Sequence, residues 1–267
     1  MKNFSSHHSS LSIAVYFGLV FVLSIPFWLA GMAANIQKDI PINLPISALM
    51  FVCPMIAALI LVYQKDRAQG VKDLCRKILH IKIERKGWYI PVFLSMPLIM
   101  IISYGVMKIL LPSALPLSFP PLTVIGLFLL FIVPGLCEEI GWQGYVYDKL
   151  EYRWNAWTAS VMLGLIWQVW HIIPHLQTDH SAMWIVWQCA SSVLLRVLIV
   201  WVYKNTDKNI IAAVIVHTMN NVCSFLLPNY DSSYATFSVF LVTALVVMLI
   251  TFLWGKTLTQ YRFHSKA

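Results

Sequence analysis

The chain has 267 residues, 59% of them hydrophobic and only 11% charged, and its mean hydropathy is +0.73. That balance excludes an ordinary soluble domain, in which about a quarter of the residues carry charge, and marks an integral membrane protein. The formal net charge of +8 is explained by the sidedness of the loops and by attraction to anionic lipid, so it calls for no nucleic-acid partner.

Apolar stretches long enough to cross a hydrocarbon core of ~30 Å, about 20 residues each, fall at roughly 12–34, 45–64, 88–111, 121–146, 155–176, 182–203, 209–228 and 235–255. The pattern predicts an all-α, polytopic protein of eight transmembrane helices, a single membrane domain over 1–267. The first stretch is longer than the apolar part of a leader peptide and is read as an uncleaved helix. Between the second and third stretches, residues 65–87 carry Lys65, Arg67, Lys72, Arg76, Lys77, Lys82, Arg85 and Lys86. Lys149 and Arg153, Lys204 and Lys208, and Lys256, Arg262 and Lys266 follow in alternate connections, while Lys38 stands on the opposite side. Lysine and arginine are retained in cytoplasmic loops, so both termini are expected in the cytoplasm, and the multi-pass protein in the cell membrane if the source is bacterial. Within this basic cytoplasmic loop, Val71, Leu74, Cys75, Ile78 and Leu79 have the spacing of an amphipathic helix. It is expected to lie on the inner leaflet as an anchor.

The fourth stretch carries two adjacent acids, Glu138 and Glu139, in the run Pro134-Gly135-Leu136-Cys137-Glu138-Glu139-Ile140-Gly141-Trp142-Gln143. A carboxylate costs a few kcal/mol at such a depth and usually faces a cavity or a partner. A short polar turn around Arg153-Trp154-Asn155 makes the fourth and fifth helices antiparallel neighbours. Glu138 and His171 are equidistant from that turn and are therefore expected at the same depth. His217 and Asn221, four residues apart, share one face of the seventh helix. A shielded carboxylate can act as a general base, and a neutral histidine can orient the same water. A second histidine and an amide can donate to the oxyanion formed when that water attacks a peptide carbonyl. Peptide hydrolysis fits these parts.

The strings Glu138-Glu139-Ile140-Gly141-Trp142-Gln143-Gly144-Tyr145, Trp167-Gln168-Val169-Trp170-His171 and His217-Thr218-Met219-Asn220-Asn221 resemble the three motifs of the CAAX protease and bacteriocin-processing (CPBP, Abi) family of intramembrane proteases. Those motifs are a double Glu followed by Arg, an aromatic residue four before a His, and a His four before an Asn. The resemblance covers 121–228, the expected catalytic core. It implies an eight-helix intramembrane endopeptidase acting on a membrane-associated protein or peptide within the lipid bilayer. In that reading Glu138 and His171 activate water, and His217 and Asn221 meet the oxyanion. Glu139 and Gln143 are supporting residues.

One departure is plain. The family's arginine, five residues after the first Glu, is here Gln143, which at i, i+4 can hydrogen-bond Glu139 but cannot neutralise it. Either Glu139 is protonated, or a cation from elsewhere such as Lys149 or Arg153 replaces the arginine, or activity is weakened. The last case gives the alternative of an inactive relative serving as a membrane scaffold or bacteriocin-immunity factor. Arg196, in the middle of the sixth stretch, is either that cation or one that reaches water or a backbone carbonyl. Glu138, His171 and His217 also form a His₂Glu set that could bind zinc, while a glutamate-driven mechanism uses the same residues and needs no cofactor. The bland alternatives are a structural acid pair after a kink at Pro134, an interfacial aromatic belt for Trp167, Trp170 and His171, and polar packing for His217 and Asn221. His175 is read as facing solvent near the outer loop, and Asp207 as an N-terminal cap or first-turn acid of the seventh helix.

Overall fold

In the computed structural model the described residues are 2–33 and 45–259, with side chains described from residue 12 onward. Lys38, Arg262 and Lys266, on which part of the orientation argument rests, lie outside them. All secondary structure in the described residues is helical. Helix α1 spans Lys2–Ala33; a 3-10 turn over Ile46–Val52 leads into α2, Cys53–Leu79; α3 is Tyr89–Leu110. Helix α4, Pro121–Gly141, passes through a π-helical segment, Trp142–Tyr147, into the short α5, Asp148–Arg153. Helices α6 (Ala156–Leu176), α7 (Ala182–Asn205), α8 (Ile210–Leu226) and α9 (Ser233–Trp254) follow.

Seven helices among the described residues are long and apolar enough to cross a membrane. Helix α8, with 17 residues, is ~25 Å long at 1.5 Å per residue, the short end of what a span needs. The protein is an integral, multi-pass, all-α membrane protein. The helix starts follow from polar residues placed before apolar runs, since a side-chain oxygen satisfies an otherwise orphaned N–H. Asn155 accepts from the Thr158 N–H, Ser181 from Trp184, Asn209 from Ala212 and Ser232 from Tyr234. Asn209 thus caps α8, not Asp207, which sits in the preceding turn at φ 56°.

Helix α7 is central, packed against α6, α8 and α9. From Leu195 to Tyr203 every residue is buried, which is why this stretch, Arg196 apart, is apolar all round rather than striped. Two close approaches bring the polar residues together. A Cβ on Gly164 of α6 would lie 3.0 Å from the Val193 Cα of α7, and one on Gly135 of α4 would lie 2.9 Å from Thr218 Oγ1 of α8. Small residues permit such contacts, on which helix association in lipid depends.

The 65–87 segment departs from a free surface helix. Residues up to Leu79 prolong α2 beyond a break at Arg67 (φ 52°, ψ −147°). Leu74 is buried and would touch a Cβ on Gly144 in the π segment. Lys65, Lys72, Arg76 and Lys77 are exposed. The apolar stripe therefore rests partly on the protein itself.

Candidate active site

Glu138 and Glu139 stand in the last turn of α4, 5% and 0% exposed. Successive helical residues point 100° apart, so the two acids have different surroundings. Glu138 faces indoles. Its Oε2 accepts from Trp167 Nε1 at 2.7 Å and from Trp142 Nε1 at 3.2 Å, leaving Oε1 uncommitted to either.

Glu139 faces cations and hydrogen-bond donors. Arg196 Nη1, from α7, lies 2.8 Å from both carboxylate oxygens, and His217 Nδ1, from α8, lies 2.8 Å from Oε1. Both members of the ion pair are fully buried. A carboxylate held by a guanidinium is an acceptor, so Nδ1 is the protonated nitrogen of His217 and Nε2 points away from Glu139.

Trp167 binds the two halves together. The Arg196 guanidinium lies 4.3 Å from its ring centre, a cation–π contact. The His171 and His217 rings meet it edge-on at 5.2 and 5.3 Å. His171 Nδ1 donates to the Trp167 carbonyl at 2.9 Å; a carbonyl can only accept, so in the neutral ring Nε2 carries the free lone pair.

The structure thus gathers Glu138, Glu139, His171 and His217 around Trp167. Asn221, one turn beyond His217, is half-buried, and its Oδ1 accepts from Asn220 Nδ2 at 3.2 Å. Its own amide hydrogens remain for other acceptors. Trp167 and Trp170 do not form an interfacial belt. Both are buried inside the bundle, and Trp170 Nε1 donates to Ser24 of α1 at 2.7 Å. His175 is not simply solvent-facing either: it is half-buried, its ring 5.9 Å from that of His171 and 5.5 Å from Trp184.

Gln143 corrects an expectation. It is fully buried, and neither of its amide atoms has a hydrogen-bond partner. The i, i+4 argument assumed an α-helix, but Gln143 falls in the π segment. There hydrogen bonds run from i to i+5, so residues four apart no longer stack. Glu139's oxygens are meanwhile taken by Arg196 and His217. Of the readings open for Arg196, the Glu139 partner is the one observed.

Two bonds to Glu138, from Trp142 and Trp167, escape the sequence reading. Trp142 could have been found, being i, i+4 from Glu138 on the same face. The Trp167 indole was visible as a motif position, but its bond to Glu138 depends on how α6 meets α4. For metal, no three His, Cys, Asp or Glu side chains converge as a ligand set among the described residues. Glu138, His171 and His217 do not fit a zinc ion in this arrangement.

Four helices of a polytopic bundle, α4, α6, α7 and α8, thus meet at one glutamate–histidine cluster. Residues 120–223 match the sequence profile described as type II CAAX prenyl endopeptidase Rce1-like. The chain is also similar to a CAAX prenyl protease 2 of Methanococcus maripaludis, with 26% identity over 252 residues, covering 88% of this chain and 92% of the relative. These likenesses support an intramembrane endopeptidase of the CAAX protease type.

Proposed function

We propose that this protein hydrolyses a peptide bond of a membrane-associated protein or peptide with water activated by Glu138 and His171. The observation that carries this reading is the pair of groups joined through Trp167, one a buried carboxylate with a free Oε1 and the other a half-buried imidazole with a free Nε2. A water between them gives one proton to Glu138 while His171 orients it by accepting a hydrogen bond. Its oxygen bonds to the peptide carbonyl carbon, and the carbonyl electron pair moves onto oxygen. Asn221 donates to that oxyanion from its amide. His217 donates from Nε2 when both ring nitrogens are protonated, since Nδ1 is already engaged by Glu139. Collapse of the intermediate breaks the C–N bond, and the proton held by Glu138 passes to the leaving nitrogen.

Positioned general bases contribute roughly 10²–10⁴-fold. Full-length protein in detergent, given a panel of membrane-associated peptides, is expected to lose at least about 100-fold in kcat on Glu138→Gln or His171→Ala. Cleavage that survives Glu138→Gln would sink the mechanism. A chelator added to the wild type bears on metal, with unchanged cleavage expected.

The scaffold or immunity alternative drew its support from Gln143. Arg196 weakens that support, because Glu139 is charge-paired in spite of the missing arginine.

A further inference from the structure

The geometry points to Arg196 as the positioning residue of this site: through Glu139 it fixes the His217 ring so that Nε2 faces the reacting carbonyl, a duty that binds catalysis to the central helix α7. This rests on the peptidase reading, but it concerns a residue outside the pair proposed to activate water.

Three observations combine. First, Arg196 has no exposed surface and its closest charged group is Glu139, with one guanidinium nitrogen 2.8 Å from both carboxylate oxygens. A buried cation and anion are costly unless each holds the other, so neither position tolerates loss of its partner. Second, Glu139 Oε1 also accepts from His217 Nδ1 at 2.8 Å. A histidine whose one nitrogen is bound to an oriented carboxylate has its ring plane and its other nitrogen fixed. Third, the guanidinium lies against the face of Trp167, whose indole holds Glu138 and whose carbonyl holds His171. Arg196 is thus in contact with the supports of both halves of the site. It can stand there because Gly164 lets α6 approach α7, where a Cβ would be 3.2 Å from the Arg196 Cβ.

The unpartnered Gln143 supplies a test that simple structural damage would not pass. Gln143 is buried and unpartnered in the turn that follows Glu139; its amide does not bond the carboxylate, but the longer side chain of an arginine there can offer Glu139 a replacement cation. With Arg196 in place, a second buried cation is unwelcome. Gln143→Arg alone is expected to slow cleavage several-fold, and in the Arg196→Gln background the same change is expected to restore it at least 10-fold.

The experiment uses the full chain in detergent, with a peptide that the wild type cleaves. It compares wild type, Arg196→Gln, Arg196→Lys, Gln143→Arg, the double variant and Glu138→Gln, measuring kcat and KM separately. The nitrogen-bound ring proton of His217 is followed by NMR on histidine-labelled protein and assigned by its loss in His217→Gln. Arg196→Gln is expected to lower kcat at least 30-fold with KM little changed and to abolish the hydrogen-bonded Nδ1–H signal. Arg196→Lys is expected to recover part of both. An Nδ1–H signal unchanged in Arg196→Gln overturns the proposal, as does an equal loss in the double variant. Glu138→Gln separates the two readings: if it cleaves normally, the peptidase mechanism fails while the His217 signal still judges Arg196. If it is inactive with the His217 signal intact, Glu138 and Arg196 have the distinct duties assigned to them.

Discussion

The 100° step of an α-helix separates Glu138 from Glu139 and gives each a different set of partners. Glu138 receives only neutral indole donors, which hold Oε2 without cancelling the charge. Trp167→Phe keeps most of the ring but deletes its N–H. Hydrogen bonds to charged groups are worth about 1.5–3 kcal/mol, so this variant is expected to cleave roughly 10–100-fold more slowly if the bond is as strong in the transition state. A Trp167→Phe rate within twofold of wild type would show that Trp142 alone can hold the carboxylate. Glu139 was legible as an acid in need of a cation, and Arg196 as a cation in need of an acid. Nothing in their spacing of 57 positions joins them, since only helix packing does so.

At the scale of elements, the α6–α7 contact sets the distance between Trp167 and Arg196. The Val193 backbone that a Cβ on Gly164 would meet at 3.0 Å cannot rotate away as a side chain can. Gly164→Ala is therefore expected to force the helices apart at about 1–3 kcal/mol, the usual range for overpacking, and to lower both the melting temperature and kcat. A variant as stable and as active as wild type would show that the approach has slack. At the outer end of the same helices His180 stacks on Trp184 at 3.6 Å and lies 3.9 Å from Asp231. Burial draws its imidazole below the usual histidine range, against the opposing pull of Asp231 and Asp179. With its folded pKa depressed, the ring binds protons more readily when the contact opens, so the α6–α7 turn is expected to loosen as pH falls below the ordinary histidine range. Amide exchange in residues 177–181 should rise from pH 7.5 to pH 5 in wild type and stay level in His180→Gln. Equal behaviour of the two proteins would assign the change to another group. The π segment is the element that sequence spacing could not show, and it accounts for the failed Glu139–Gln143 pairing. Periodic reasoning assumes 3.6 residues per turn, and nothing in Trp142–Tyr147 announces a departure from it.

For the whole molecule, the distribution of lysine and arginine implies one basic face. Cys75, on the 65–87 segment, is exposed, whereas Cys53, Cys137 and Cys223 are buried and Cys189 is half-buried. A membrane-impermeant maleimide is thus expected to label Cys75 in inside-out vesicles and to leave it unlabelled in intact cells. Labelling in intact cells would invert the topology. Lys108 tempers the charge argument, since it sits at the other end of α3 and donates to the Pro112 and Ala114 carbonyls at 3.1 and 2.6 Å, held by backbone rather than by lipid charge. The sequence by itself determined the class of protein, the helix spans and the candidate residues Glu138, His171 and His217, because hydrophobic length and buried polar groups are local properties that a bilayer makes severe. Only the tertiary structure decided the pairings: Arg196 with Glu139, Trp167 with Glu138, and Gln143 with nothing. These depend on how tightly helices approach at Gly135 and Gly164 and on where one helix changes its pitch, and no single segment carries that information.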